Sequence, residues 1–198
     1  FSDSGGSELS SCSYKVESGS TETVPWTTLG ACSGNSFSAT QTITVGSGAD
    51  CRDEGKDACT VYVRAIDGAG RSYIMSRSYD IDFSGPSTAL TGTDYEWKSV
   101  DFSIDATSSD SHNNVSVIKY RVLSGSTWTV TKDWTLVECG SGLSCTKSLT
   151  ITVGVGQDCR DQGYDKCAIE VLANDTLDNW GAWARRNLSI DWTPPTAA

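Results

Sequence analysis

Thr42-Ile43-Thr44-Val45-Gly46-Ser47-Gly48-Ala49-Asp50-Cys51-Arg52-Asp53-Glu54-Gly55-Lys56-Asp57-Ala58-Cys59 returns 108 residues downstream as Thr150-Ile151-Thr152-Val153-Gly154-Val155-Gly156-Gln157-Asp158-Cys159-Arg160-Asp161-Gln162-Gly163-Tyr164-Asp165-Lys166-Cys167. Self-similarity over such a distance makes the chain a tandem repeat. Outward from this block the match continues. Tyr14-Lys15-Val16-Glu17-Ser18-Gly19-Ser20 pairs with Tyr120-Arg121-Val122-Leu123-Ser124-Gly125-Ser126, Trp26 with Trp134, and Cys32 with Cys139. Downstream, Ile81-Asp82-Phe83-Ser84-Gly85-Pro86 pairs with Ile190-Asp191-Trp192-Thr193-Pro194-Pro195. The offset drifts by a residue or two, in turns that tolerate insertions.

Within each repeat, apolar residues alternate at the period of a half-buried strand. Cys12, Tyr14 and Val16 correspond to Ile118, Tyr120 and Val122. Ile43 and Val45 correspond to Ile151 and Val153, with Leu149 preceding them. Val61, Val63 and Ala65 correspond to Ile169, Val171 and Ala173. Turn signals break the chain at short intervals, and no stretch holds a helical period. The expected fold is all-β, two tandem antiparallel sandwiches. The repeats are unequal, because Tyr95–Ala106, with alternating Val100, Phe102, Ile104 and Ala106, has no counterpart before Phe1. The expected modules are therefore 1–85, incomplete at its N-terminus, and 86–198, complete. Thr193–Ala198 ends at the phase of the repeat where the next module's missing strands begin.

The 198 residues carry a net charge of -10. That argues against nucleic acid, whose phosphates need clustered cations. No apolar run reaches the roughly 18 residues of a membrane span, and no signal peptide is legible. His112 is the one histidine, it sits in a polar turn, and nothing marks a nucleophile beside it. No enzyme activity is expected. Eight cysteines point to disulfides and an oxidising, extracellular compartment. Zinc would want closer cysteine pairs or nearby histidines.

Cys59-Thr60-Val61-Tyr62-Val63-Arg64-Ala65-Ile66-Asp67-Gly68-Ala69-Gly70 resembles the penultimate strand of bacterial Ig-like and fibronectin type III-like modules. The closing Ile190-Asp191-Trp192-Thr193-Pro194-Pro195-Thr196 resembles the linker between tandem copies in prokaryotic surface proteins. The resemblance implies Ig-like sandwiches. It also places Cys59 and Cys167 where that family often carries a corner tyrosine, so a disulfide to Cys51 or Cys159 takes over that tie. The expected bridges are Cys51–Cys59, Cys159–Cys167, Cys12–Cys32 and Cys139–Cys145, the last two rewired between repeats.

No metal or other cofactor is expected. A calcium ion, which takes several oxygen ligands, would draw on Asp50, Asp53 and Asp57, or on Asp158, Asp161 and Asp165. Arg52 and Arg160 inside the loops oppose it. Asp67, Asp80, Asp82, Asp94, Asp101 and Asp105 flank the junction; the family's calcium-stiffened junctions are the alternative to a solvated face. Asn114, Asn174 and Asn187 head glycosylation sequons. Trp26 and Trp134, with Phe83 and Trp192, recur and so are expected in core or junction packing. Trp180 and Trp183 belong to the second repeat alone and are the better candidates for an exposed sugar-stacking patch. The resemblance implies a stalk, adhesin or fibre on a prokaryotic cell surface. Its partners are neighbouring copies, by strand addition at the open edge of the first module, or a surface glycan or protein. The alternative function is a recognition module on the same scaffold.

Overall fold

The computed structural model describes residues 1–196, so Ala197 and Ala198, the end of the expected second module, lie outside the described residues. The fold is all-β, and the chain divides into two compact units between Phe83 and Ser84. Backbone contact explains why Ser84–Pro86 belongs with the second unit. A Cβ on Gly181 would stand 1.8 Å from the Pro86 carbonyl oxygen, and one on Gly85 would stand 2.2 Å from the Trp180 backbone. Only glycine admits that crossing.

The second unit contains β5 (Ser87–Leu90), β6 (Trp97–Lys98), β7 (Phe102–Ser109), β8 (Val115–Ser124), β9 (Thr129–Glu138), β10 (Ser144–Ile151), β11 (Gly163–Asp175) and β12 (Ala184–Ile190). A three-stranded sheet, β10-β7-β5, faces a five-stranded sheet, β6-β12-β11-β8-β9. Every pairing is antiparallel except β12 with the short β6. The inward residues of both sheets, among them Ile104, Ala106, Ile118, Val122, Leu149, Ile151, Ile169 and Leu188, form one core. This unit is a β-sandwich, as the alternating pattern requires. The strand expected from Val100 starts two residues later, leaving Val100 outside β7 and exposed. Val153 likewise lies beyond β10 and makes only an isolated bridge to Cys159.

The first unit contains β1 (Leu9–Ser18), β2 (Thr21–Thr28), β3 (Gly55–Asp67) and β4 (Ser72–Ile81), one sheet in the order β2-β1-β3-β4. By repeat offset these match β8, β9, β11 and β12. The strand expected at Ile43 and Val45 does not form: 38–44 lies in no strand, and Val45 makes only a bridge to Cys51. The cause is visible in the second unit, where the matching β10 pairs only with β7. Without a β7 equivalent, alternation alone supplies no ladder. The first unit's apolar side chains gather in two small clusters, around Val16, Cys59 and Ile81 and around Leu9, Cys12 and Ala65.

Candidate functional sites

Four disulfides join Cys12 to Cys32, Cys51 to Cys59, Cys139 to Cys145 and Cys159 to Cys167. They indicate an oxidising, extracellular-type environment. Among the described residues, no helix is long and apolar enough to cross a membrane.

The cysteine loops are built by one hydrogen-bond set, present twice. Ser18 and Ser124 are fully buried at the ends of β1 and β8. The Ser18 hydroxyl accepts the Arg52 and Asp53 N–H groups at 2.9 Å; that of Ser124 accepts the Arg160 and Asp161 N–H groups at 3.1 Å. Asp50 and Thr44 exchange backbone-to-side-chain bonds, as do Asp158 and Thr152. Thr23 and Thr131 donate to the carbonyls of Asp50 and Asp158. Gly19 and Gly125 follow the serines at positive φ, and a Cβ on either would stand only 3.0 Å from the Asp53 or Asp161 carboxylate. The Ser-Gly-Ser of each repeat, readable only as a turn, is thus the hub of the disulfide loop. Its signal was the recurrence itself.

The six loop carboxylates are not gathered around one point. Among the described residues, no three of Asp50, Asp53, Asp57, Asp158, Asp161 and Asp165 bring ligand oxygens within 4.8 Å of one another. Asp158 instead holds the Lys132 ammonium at 3.0 Å. Burial pulls Lys132 down, yet its bonds to Asp158 and Tyr120 outweigh that and keep it above the ordinary lysine value. Four of the junction carboxylates are also committed locally. Asp67 accepts the Ala69 and Arg71 N–H groups in the β3–β4 turn, Asp80 that of Asp57, Asp94 that of Asn187, and Asp101 that of Val153. Asp105 lies on the exposed face of β7.

Trp26 and Trp134, expected in core or junction packing, lie half-buried on the outer sheet faces. Each is covered by cations from the same sheet, from β1 and β3 over Trp26 and from β8 over Trp134. Arg64 is 4.3 Å and Lys15 5.7 Å from the Trp26 ring; Arg121 is 4.8 Å and Lys119 5.3 Å from the Trp134 ring. Repetition could not distinguish the two faces, and the outward phase of Lys15 and Arg121 decides it. In the second unit the array extends. Lys119 also sits 3.9 Å from the Trp180 ring, and Arg185 lies 4.2 Å from Trp128. Glu170, 1% exposed, accepts from Arg121 at 2.5 Å and Arg185 at 3.2 Å. In the first unit Tyr62 stands at the Glu170 position, and Glu17 accepts from Lys15 and Tyr62. These bonds hold the Glu17 carboxyl below, and Lys15 and Tyr62 above, their ordinary values. Trp183 is 58% exposed and Trp192 packs against the second core, as Phe83 does against the first.

The sequons sit differently. Asn114 is half-buried just before β8. The Asn174 amide donates to Asp178 at 2.8 Å, and the Asn187 carbonyl oxygen accepts from Arg185 at 2.8 Å in mid-β12. His112 is exposed, its ring 3.1 Å from the Ser111 hydroxyl.

The first unit carries a trough on the inner face of its sheet. One cavity of about 510 Å³ is lined by Tyr14, Gln41, Ile43, Val61 and Tyr79 among others; a second, of about 460 Å³, adds Phe37, Tyr73 and Met75. They share Leu29, Ala39 and Val63. No family model, curated protein or solved structure matches the chain.

Proposed function

We propose that the chain is a pair of Ig-like, fibronectin type III-like modules from a stalk, adhesin or fibre on a prokaryotic cell surface. The observation that supports this best is the duplicated disulfide loop, serine hub included. A binding or catalytic loop diverges when only one copy is used, whereas a loop that braces each repeat stays the same in both. Cation-covered tryptophans serve the same reading. A ring flanked by guanidinium or ammonium groups braces a sheet face and offers little free surface to a sugar. Immunogold electron microscopy of the source cells with antibody against residues 1–198 tests it. Label along surface projections is expected. Label confined to the cell interior or to secreted monomer would refute it.

A recognition module is the second reading, favoured by one observation: exposed Trp183, beside Trp180, in the second repeat alone. A glycan array probed with the chain, and with Trp183→Ala, tests it. Saturable binding lost in the variant supports recognition; an array without binding removes it.

A further inference from the structure

We propose that the trough of the first unit is the seat of an extended polypeptide segment with the pattern of β5, its following loop and β7, which completes the sandwich by strand addition. The inference rests on the repeat and not on the stalk reading. In the second unit, that segment occupies the same place. Its β7 pairs with β10 from Phe102↔Ile151 to Ser109↔Ser144, and Ile104 and Ala106 enter the core.

Three features of the first unit fit this occupant. The last rung is already present: Phe1 and Phe37 exchange backbone bonds of 3.0 and 3.1 Å, and Ser2 bridges Ser36 antiparallel. Ser36 and Phe37 are equivalent to Ser144 and Cys145, so Phe1 and Ser2 stand where Ser108 and Ser109 stand. The occupant's direction and register follow: its Ile104-like residue lies opposite Gln41 and its Phe102-like residue opposite Ile43. Second, the inner face of β4 is bare from Tyr73 to Tyr79. Tyr73, Met75 and Tyr79 are 67%, 56% and 43% exposed, whereas Leu188, the equivalent of Tyr79, is fully buried. Third, exposed Arg77 is equivalent to Arg186, which is 5% exposed and donates to the Thr93 carbonyl and to Glu96 in the loop between β5 and β7. The occupant thus brings an acidic residue to Arg77. A second copy of this chain is a poor donor, because the β7 of its own segment is already paired on both sides, with β10 and β5, within its own sandwich. Apolar alternation, main-chain bonding and one charge pair together specify strand addition.

The test adds a synthetic peptide of residues 87–109 to the full chain. A second arm fuses a copy of residues 87–107 directly before Phe1. Hydrogen exchange read by mass spectrometry and light scattering follow both. The expected result is slowed exchange in residues 37–43 with either donor, while the particle remains a monomer of the chain. Saturable peptide binding should weaken by about tenfold or more when the peptide carries Ile104→Asp, the loss of one buried aliphatic group. Unchanged exchange with both donors would overturn the proposal. So would protection of residues 37–43 that appears without donor and rises with chain concentration as the mass doubles, because a second copy would then be the occupant.

Discussion

The Ser124 hydroxyl serves three backbone groups at once, accepting from Arg160 and Asp161 and donating to the Lys166 carbonyl at 3.2 Å. It is fully buried, so water cannot replace it without rearrangement. Ser124→Ala is expected to destabilise the second unit by about 2–3 kcal/mol, the cost of leaving buried polar groups unpaired. Chemical denaturation of the variant checks the figure; a loss below about 0.5 kcal/mol would show that the loop holds itself. Asp67 does comparable work at the β3–β4 turn. Arg71 holds its carboxyl below the usual aspartate range, first through the backbone N–H, helped by Ser7 and by the guanidinium and opposed by burial. A carboxyl whose folded value is the lower one stabilises above its unfolded value, about 4, and loses that contribution as pH falls through the folded value. Below about pH 5, Asp67→Asn should therefore flatten the acid side of the stability profile. A profile identical to that of the parent chain would remove Asp67 from acid unfolding.

At the scale of elements, the second bridge of each unit shows how staples follow strands. Cys32 and Cys139 are equivalent, yet Cys139 reaches Cys145 at the start of β10, and Cys32 reaches back to Cys12 in β1. The position of Cys145 is held by Phe37, which pairs with Phe1 at the head of a segment that lies in no strand. The position of Cys12 is held by fully buried Ile118. Cys12–Cys32 therefore ties the unladdered chain to the sheet. Replacing the pair as Cys12→Ile with Cys32→Ser should cost about 3 kcal/mol for a loop of 20 residues. It should also speed hydrogen exchange over 29–37. Unchanged exchange there would mean that the rung at Phe1 and Phe37 suffices. The missing ladder at 38–44 was beyond the sequence. Alternation made β8, β10 and β11 legible because each sends alternate apolar residues into one core, but it records side-chain phase and is silent on whether a partner strand exists. Hence Ile43 and Val45 read like Ile151 and Val153 and fold differently. The serine hubs were illegible for a related reason: a hydroxyl's role depends on which loops meet around it, and those meet only in the folded unit.

For the whole molecule, the two units share a sheet plan and differ in what they bury. The core of the second unit includes residues from both of its sheets, while the first unit has two separate clusters of a few residues each. Burial of apolar surface is the main favourable term in folding, so the first unit must lean on its disulfides. Cys12–Cys32 and Cys51–Cys59 close loops of 20 and 8 residues, for which loop entropy gives about 3 and 2.5 kcal/mol. Those sums are a large share of the about 5–15 kcal/mol that holds an ordinary domain. Calorimetry of the oxidised chain should therefore show two transitions, the lower one belonging to the first unit. After verified reduction the lower transition should disappear at room temperature, and the upper one should move down yet persist. Hydrogen exchange assigns them, through peptides containing Trp26 for the first unit and Trp134 for the second. A single transition that keeps both units cooperative after reduction would show that the sheet alone, with its cation-covered outer face, stabilises the first unit without its staples.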